Sequence, residues 1–451
     1  MNAKQIQSVS PARRAAFDIL SRVEKTQAYA SVLLSELSDS DLSRIDRALA
    51  AEIVLGVLRW QLTLDRLIER YSGRSIDRFD RPVVIALRIG LYQLRHLDRV
   101  PHAAAVNESV KLVKRSRIAS AAPLVNAVLR KAVRHPDELP GHGITDPLER
   151  SSVELSHPRW MLERWQRELG SGGTQKLALA NNATPSTAFR VNTLRTTVNE
   201  TLASLQREGI MTRASQVAAG AFVVESGPSS ALIQATRQGL IYVQDEASQL
   251  VSLLLEPASG HRVLDVCASP GSKTSHIAAL AEDRAWIIAC DLHHHRLTAL
   301  RATCERLGIR SVDALAVDAT QALPIVTSER RFDRVLVDAP CSGTGTLRSN
   351  PEIKWRLAVE DIARLALLQL NLLTQAATSV GTGGRLVYST CSIEREENEA
   401  VVARFLDETP AFKVMVPAEH GNLITGDGFV RTFPHLNGTD GFFAAVLERI
   451  R

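Results

Sequence analysis

Two of the five cysteines stand just beyond the ends of apolar runs, where a reactive side chain is often found. They are Cys341 in the stretch VDAPCSGTG and, fifty residues later, Cys391 in RLVYSTCS. No CxxC pair occurs, so the sequence predicts neither a disulfide framework nor a metal site. We expect a cytoplasmic protein with reduced thiols, because no stretch has the apolar length of a signal peptide or a membrane span. Thiol chemistry is therefore the interpretation that the spacing favours.

A thiolate is the nucleophile that can add to carbon 6 of a pyrimidine, which makes carbon 5 electron-rich enough to accept a methyl group. A free thiol has a pKa of about 8.5 and needs local activation for this role. Asp338, close to Cys341, can hold the base or handle protons. The spacing does not decide which of the two cysteines attacks. The other three cysteines lie within predicted strands or a helix, where burial is the expected role: Cys267, Cys290 and Cys304.

Acidic residues recur at the ends of the predicted strands. Asp265 lies in the first, Asp291 ends the second, Asp318 the third and Asp338 the fourth. Ligands of open α/β sheets bind beyond the carboxyl ends of the strands. The small residues of the loop in RVLDVCASPGSKT let the backbone approach a ligand, and an acid such as Asp291 suits ribose hydroxyls. Neither GxGxxG nor the P-loop spacing occurs, so the pattern favours S-adenosylmethionine over a dinucleotide or a triphosphate.

The elements that must position these residues begin near Gly239. Short apolar strands alternate there with amphipathic helices, which predicts a mostly parallel sheet covered on both faces. The strands are expected in RVLDVC, AWIIACD, DALAVDA, RVLVDAP and GRLVYSTCS. The carboxyl-terminal run GTDGFFAAVLERI predicts an antiparallel strand at one edge of this sheet.

The chain before this region divides in two. Residues 9–135 show helical spacing of apolar residues, with helix ends expected at Gly73, Pro82 and Pro101. A Pro/Gly-rich linker, HPDELPGHGITDP, precedes a small α/β module in which Ser156–Gly170 predicts a short helix and FRVNTLR a strand. Its Arg190, Asn192 and Arg195 either face RNA or form the outer face of an edge strand. We therefore predict a multidomain chain: an all-α domain (1–140), a linker and small α/β module (141–238) and an α/β Rossmann-like domain (239–451).

Positive charge is concentrated in the first third of the 451 residues. Residues 1–150 hold 24 Lys and Arg against 17 Asp and Glu, whereas the remainder holds 30 against 32. A nucleic-acid partner is plausible on such a surface, although a solvated basic face explains the charge equally well. The basic residues of the segment KLVKRSRIASAAPLVNAVLRK are Lys111, Lys114, Arg115, Arg117, Arg130 and Lys131.

Taken together, several motifs resemble a known family. VDAPCSGTG, STCSIEREENE, DVCASPGSKT and DGFFAAVLER are similar to the Nol/Nop/Sun family of RNA cytosine-5 methyltransferases. PARRAAFDILSRVE, DRALAAEIVLGVLRW and VNAVLRKAVR resemble the RNA-binding factor NusB, and the combination resembles the RsmB-type branch of the family. The resemblance implies methylation of carbon 5 of a cytosine in 16S ribosomal RNA of the small subunit, free or in an assembling particle, by a monomer without metal.

The same resemblance implies roles for individual residues. Cys391 of the TCS motif is expected to be the nucleophile, and Cys341 of the PC motif to assist proton removal or product release. The cofactor, S-adenosyl-L-methionine, is expected to contact ten residues: Cys267, Ala268, Ser269, Pro270, Gly271, Ser272, Lys273, Asp291, Asp318 and Asp338.

One position departs from the family pattern. The cofactor loop of the family usually reads PGGKT, whereas Ser272 replaces the second glycine here. If this position needed a positive φ, the serine would cost about 1 kcal/mol and weaken cofactor binding.

Two alternative functions stay open at this point: a transfer-RNA cytosine-5 methyltransferase, and an RNA-binding assembly or antitermination factor with an inactive cofactor pocket.

Overall fold

The computed structural model describes residues 9–26, 28–39, 41–116, 118–327, 331–419 and 421–451. Its first part is helical because apolar residues recur every three or four positions and are buried together, for example Ile19, Leu20 and Val23. Helix ends lie where the sequence predicts them: Gly73 ends a helix with φ 68°, and Pro82 and Pro101 stand at helix starts. The helices are α1 (Pro11–Thr26), α2 (Ala30–Ser35), α3 (Arg44–Arg59), α4 (Gln61–Ser72), α5 (Arg81–His96), α6 (His102–Arg115), α7 (Ala122–Arg134), α8 (Pro147–Leu155) and α9 (Arg159–Asn182).

Helix α9 extends beyond the short helix predicted up to Gly170. The backbone at Gly170 leaves helical geometry, with φ 68° and ψ 175°, and the helix continues on the other side of this break. Glycine adopts such an angle without a steric penalty.

The small module that follows is a βαββαβ unit. Its described strands form an antiparallel sheet in the order β2-β3-β1-β4, so β1 lies inside the sheet and not at its edge. A Thr197–Glu200 capping box starts the first helix. The elements are β1 (Ala188–Val191), α10 (Val198–Arg207), β2 (Met211–Ala214), β3 (Ala221–Ser226), α11 (Ser229–Arg237) and β4 (Ile241–Val243).

The last part is the expected α/β domain with a mixed sheet. Its strands, as far as the structure describes them, run in the order β10-β12-β9-β8-β5-β6-β7, and β11 pairs with β12. Neighbouring strands from β9 to β7 are parallel. The elements are α12 (Glu246–Leu254), β5 (Arg262–Asp265), α13 (Ser272–Leu280), β6 (Trp286–Asp291), α14 (His294–Leu307), β7 (Val312–Ala316), β8 (Phe332–Asp338), α15 (Ile353–Arg356), α16 (Val359–Ala377), β9 (Val380–Thr390), α17 (Glu399–Glu408), β10 (Phe412–Val414), β11 (Val430–Thr432), α18 (Pro434–Asn437) and β12 (Phe442–Arg449).

Two predictions about strands were wrong. The carboxyl-terminal strand β12 is antiparallel to β9, as expected, but it is not an edge strand because β10 and β11 pair with it as well. Strand β1 is central in the module, and Arg190 and Asn192 are buried, so neither faces RNA. Only Arg195 of that group is exposed.

The chain packs as two compact units. The first contains the residues up to Ala183 together with Leu347–Leu357, and the second contains Thr184–Thr346 and Ala358–Arg451. Lys354 is fully buried within the first unit, where its Nζ donates to the main-chain oxygens of Arg59 and Ser156, both at 2.8 Å. The division at residues 140 and 238 remains a proposal; β4 of the module lies beyond the second of these positions.

The basic residues of the first unit are partly engaged with their neighbours. Lys114 and Arg115 are exposed at the end of α6, whereas Lys111 forms an ion pair with Glu108 at 2.6 Å. Arg117 lies outside the described residues. Across the part of the chain that the structure describes, no helix has both the length and the apolarity to traverse a membrane.

Candidate functional site

The carboxyl ends of the parallel strands bring the predicted acids to one edge of the sheet. Strand β5 ends at Asp265, β6 at Asp291 and β8 at Asp338, and Asp318 lies two residues beyond the end of β7. Because parallel strands point the same way, all four residues follow at the same edge. The strand order changes direction between β5 and β8, which is where ligands of such sheets bind.

The two cysteines meet at this edge. Cys391 follows the last residue of β9 directly, Cys341 lies three residues beyond β8, and their Sγ atoms are 3.2 Å apart. Both side chains are partly exposed. The hydrogen bond with the Cys391 thiol and burial together raise the pKa of the Cys341 thiol well above its ordinary value. Cys341 is therefore a neutral thiol near pH 7.

An ion pair connects the loop after β5 to the end of β8. Lys273 Nζ donates to Asp338 Oδ2 at 2.7 Å, and Ser389 Oγ donates to Asp338 Oδ1 at 2.9 Å. Lys273 is buried, and burial alone would lower its pKa, but the charge and hydrogen bond of Asp338, with smaller contributions from Cys391 and Asp265, raise the pKa of the Lys273 ammonium. The pair thus holds a positive and a negative charge side by side at the sheet edge.

The loop of residues 267–273 begins helix α13 with a left-handed glycine. Gly271 has φ 97°, and a Cβ atom there would lie 3.1 Å from Leu300 Cγ. Ser272 is the first residue of α13 and does not have a positive φ, so the conditional backbone penalty at this position does not arise. The departure from PGGKT therefore gives no reason to expect weaker cofactor binding through backbone strain.

The remaining loop residues and acids are arranged as follows. Cys267 is partly exposed, while burial is the main cause that raises its pKa well above the ordinary value. Asp291 is buried and accepts from His293 N at 2.9 Å. Asp318 is exposed and accepts from the Thr320 hydroxyl and main-chain N–H, which lower the pKa of its carboxyl group.

This set of groups fits S-adenosylmethionine. Carboxylates accept from ribose hydroxyls and from an amino group. A triphosphate would need cationic groups at this edge, whereas the side chains there are acidic. The lysine of the loop, Lys273, is already paired with Asp338. The donor chemistry therefore suits a nucleoside with a cationic substituent.

Asp265, at the end of β5, is buried. Its Oδ2 accepts from Thr274 Oγ1 at 2.7 Å, while Oδ1 finds no hydrogen-bond donor among the described residues. Burial raises the pKa of Asp265 to about 7, against the lowering effect of the Thr274 hydrogen bond.

We expect Asp265→Asn to flatten the dependence of stability on pH. In the unfolded chain an aspartate ionises near pH 4, whereas the folded pKa is about 7, so the folded state binds more protons within this window and loses stability as pH rises through it. The amide keeps an acceptor for Thr274 and carries no charge. Melting temperatures measured from pH 5 to 8 should increasingly favour Asp265→Asn at higher pH, by a difference in unfolding free energy on the order of 1 to 3 kcal/mol.

Asp313→Asn, at an exposed aspartate of β7, is the matched control and should follow the wild-type pH dependence. Parallel curves for Asp265→Asn and the wild type would contradict a buried, proton-binding Asp265.

Some residues that hold the site were not predicted. Arg190 Nη2 donates to Ser275 Oγ at 2.9 Å and so ties the small module to helix α13. Glu397, within the quoted STCSIEREENE, is fully buried between the two cysteine-bearing loops. The motif holds four glutamates, Glu394, Glu396, Glu397 and Glu399, of which Glu394 and Glu397 are buried, and sequence spacing does not reveal which of them turn inward.

Gly345 sits where three main-chain segments come together. Its N–H donates to Cys391 O at 2.9 Å, and its carbonyl accepts from Gly441 N at 2.8 Å. A Cβ atom at this position would lie 2.0 Å from Gly441 O and 2.9 Å from Cys391 O, and neither backbone atom can move as a flexible side chain would.

Gly345→Ala is therefore expected to lower the free energy of unfolding by about 1 to 3 kcal/mol and to displace the Cys391 loop. Chemical denaturation checks the stability, and titration of accessible thiols checks the loop. Gly426→Ala, where a Cβ meets open space, is the matched control and should behave as the wild type does. A Gly345→Ala protein with unchanged stability and thiol reactivity would contradict the close packing described here.

Comparisons with known proteins match every part of this architecture. The NusB family matches residues 10–134, a ferredoxin-like domain described as Methyltr_RsmF/B-like matches 157–230, and the family 16S rRNA methyltransferase RsmB/F matches 252–448. The chain is 34% identical to the probable ribosomal RNA small subunit methyltransferase B of Bacillus subtilis, over 97% of this chain and 98% of that protein. It is also 34% identical to the ribosomal RNA small subunit methyltransferase B of Pseudomonas putida, over 95% and 98%.

A solved structure is similar over the same extent. One crystal structure, 29% identical, aligns with a TM-score of 0.83 over 97% of this chain and 98% of its own. A methyltransferase homolog from Pyrococcus horikoshii, also 29% identical, aligns with a TM-score of 0.60 over 67% of this chain and 99% of its own.

Proposed function

Because the chain belongs to the RsmB/F family of 16S rRNA methyltransferases, we propose that it transfers a methyl group from S-adenosylmethionine to carbon 5 of a cytosine in 16S rRNA. The observation that carries this proposal is the 3.2 Å separation of the Cys341 and Cys391 sulfurs beside the Lys273–Asp338 ion pair. A thiol pair at the ligand edge of the sheet is the arrangement that covalent attack on a pyrimidine needs.

Residues 267–273 would hold the cofactor, and Asp291, Asp318 and Asp338 would accept from its hydroxyl and amino groups. When bound, S-adenosylmethionine supplies an electrophilic methyl group on a sulfonium sulfur. Lys273 balances the Asp338 carboxylate, so that the acids of this edge are not left to repel one another.

Cys391 acts as the nucleophile in this proposal. Its thiolate forms a bond to carbon 6 of the cytosine, the carbon 5–carbon 6 double bond opens, and the electron pair moves to carbon 5. Carbon 5 then forms a bond to the methyl carbon, whose bond to the sulfonium sulfur breaks, and S-adenosylhomocysteine is the leaving group. Loss of the proton from carbon 5 restores the double bond and expels the Cys391 thiolate, which is ready for another cycle.

Cys341 and Asp338 assist the proton transfers of the reaction. The raised pKa of Cys341 keeps its thiol protonated at rest, so that it can give a proton during product release, and makes its thiolate, once formed, a strong base for removal of the carbon 5 proton. Asp338 holds the pyrimidine ring or its exchangeable protons, with its other contacts fixed by Lys273 and Ser389.

The substrate is a nucleotide that has left its stack. Extruding a base costs a few kcal/mol and is easiest in single-stranded or loop RNA, free or in an assembling subunit. We assign the NusB-like residues 1–140 and the module of residues 141–238 to RNA binding, and residues 239–451 to catalysis, in a monomeric protein. The positive charge of the first 150 residues supports phosphate contacts.

The test is transfer of label from tritiated S-adenosylmethionine to RNA, followed by analysis of the nucleosides. We expect label in 5-methylcytidine of small-subunit RNA and none in transfer RNA, and bisulfite sequencing should find a single protected cytosine. Label in transfer RNA alone, label in another nucleoside, or failure to bind the cofactor in calorimetry would each contradict the proposal, the last in favour of an inactive RNA-binding factor.

A further inference from the structure

The carboxylate of Glu397 is buried between the two loops that carry the cysteines. Its Oε1 accepts from Ser342 N at 2.8 Å and from Gln369 Nε2 at 2.9 Å. Its Oε2 accepts from the Ser342 hydroxyl and from the Ser392 hydroxyl, the latter at 2.5 Å. Glu397 is 0% exposed, so these four donors replace water entirely.

The donors are the residues next to the two cysteines. Ser342 follows Cys341, and Ser392 follows Cys391, so one carboxylate bonds to both loops at corresponding positions. The strand pairing of the sheet does not extend to these loops. The last pair between β8 and β9 is Asp338 with Ser389, and both cysteines lie beyond it. The sheet therefore brings the two loops near each other, and contacts beyond its last pairing set the distance between the two sulfurs: the Gly345 N–H bond to Cys391 O and the side-chain contacts of Glu397.

The residues on the other side of each cysteine are tied to the same cluster. Gln369 Nε2, besides its bond to Glu397, donates to Pro340 O at 2.9 Å. Asn398 accepts from Thr390 Oγ1 at 2.5 Å and donates to Ser392 O at 2.9 Å. Both flanks of Cys341 and both flanks of Cys391 are thus held by three buried side chains: Gln369, Glu397 and Asn398.

We propose that Glu397 is a positioning residue, which sets the separation and orientation of the Cys341 and Cys391 thiols so that both reach one pyrimidine. This inference rests on the proposed function. Both thiols need to reach the same cytosine only if one attacks carbon 6 and the other assists the proton transfer. Glu397 is not proposed to contact the pyrimidine. It acts on the two thiols through Ser342 and Ser392. Misplacing a reacting group by about 1 Å can reduce rate 100-fold.

Replacement by glutamine separates geometry from charge. The amide carbonyl of Glu397→Gln can accept from Ser342 N and Gln369, and the two serine hydroxyls can rotate to accept from its NH₂ group, so all four links are retained without the charge. Glu397→Ala removes all four and leaves Ser342 N and Gln369 without this acceptor. If Glu397 acts by positioning, Glu397→Gln should retain the activity that Glu397→Ala loses.

The experiment measures kcat and the KM for S-adenosylmethionine, together with the rate at which each protein is trapped on RNA containing 5-fluorocytidine. We expect Glu397→Ala to lower kcat and the trapping rate about 100-fold with the cofactor KM changed less than threefold. Glu397→Gln should stay within about tenfold of the wild type. Glu396→Ala, at the exposed neighbouring glutamate, is the matched control and should keep wild-type kinetics.

Folding is monitored by melting temperature, and Ser392→Ala provides a milder variant that removes one of the four links to Glu397, together with the bond from Glu394 N to the Ser392 hydroxyl. It should fold and lose less kcat than Glu397→Ala, again at constant cofactor KM. Full activity of Glu397→Ala, or a folded Glu397→Gln as inactive as the alanine variant, would overturn the positioning role. A wild-type protein without methyl transfer would instead overturn the proposed function, so the two failures are distinguishable.

Discussion

Cys391→Ala should reduce methyl transfer to 16S rRNA by a factor on the order of 10³ or more, because the thiolate proposed to form the bond to carbon 6 is lost. Cys341 is near enough, at 3.2 Å between the sulfurs, but its pKa is raised by the Cys391 hydrogen bond and by burial. S-adenosylmethionine binding should be unchanged, since Cys391 is not among the residues proposed to hold it. Transfer of tritium measures the first quantity and calorimetry the second.

The matched control is Cys304→Ala, which removes a buried thiol in helix α14 and should keep wild-type activity. Retention of more than about one tenth of the activity by Cys391→Ala would mean that another residue attacks the base. If Cys341→Ala were then the inactive variant, the roles of the two cysteines would have to be exchanged.

Asp338→Asn should have the second largest effect, lowering kcat/KM by about 10²- to 10⁴-fold. The carboxylate accepts from Lys273 at 2.7 Å and from Ser389 at 2.9 Å, and it lies next to the loop of Cys341. The amide removes the negative charge beside the buried Lys273 ammonium, so the pKa of Lys273 should fall because the largest influence that opposes burial is lost. Both the pyrimidine and the cofactor lose a fixed acceptor.

Steady-state kinetics with Asp333→Asn as the control isolates this effect. Asp333 lies in the same strand, β8, away from the ligand edge, and accepts from Arg262 N at 2.8 Å. Its amide variant should stay within about twofold of the wild type. Equal kcat/KM values for Asp338→Asn and Asp333→Asn would remove Asp338 from the site.

The sheet and the position of the site could be predicted because their causes are local in sequence. Continuous apolar runs of β5, β6 and β8 require burial on both faces, and an acid after each run must fall at the same edge of a parallel sheet. The close approach of Cys341 and Cys391 follows from β8 and β9 being neighbours. The family resemblance supplied what geometry could not, namely which thiol is expected to attack.

What could not be predicted depends on contacts between distant residues. Strands β10 and β11 have three residues each, too few for an alternating pattern, so β12 was wrongly expected at the edge of the sheet. Arg190 was expected either to face RNA or to lie on the outer face of an edge strand because arginine is usually exposed, whereas its guanidinium is satisfied by Gln244 and Ser275 inside the fold. Lys354 is likewise buried because partners inside the fold accept from its ammonium group, in this case the main-chain oxygens of Arg59 and Ser156.

The central claim, a covalent bond between the Cys391 sulfur and carbon 6 of a cytosine, is tested most directly by trapping. RNA containing 5-fluorocytidine lacks the proton whose loss ends the reaction, so after methyl transfer the protein should stay bound to the RNA through a denaturing gel. Proteolysis and mass spectrometry should then find the modified nucleotide on the peptide of Cys391. Attachment at Cys341, or the absence of any stable adduct from an actively methylating protein, would contradict the mechanism.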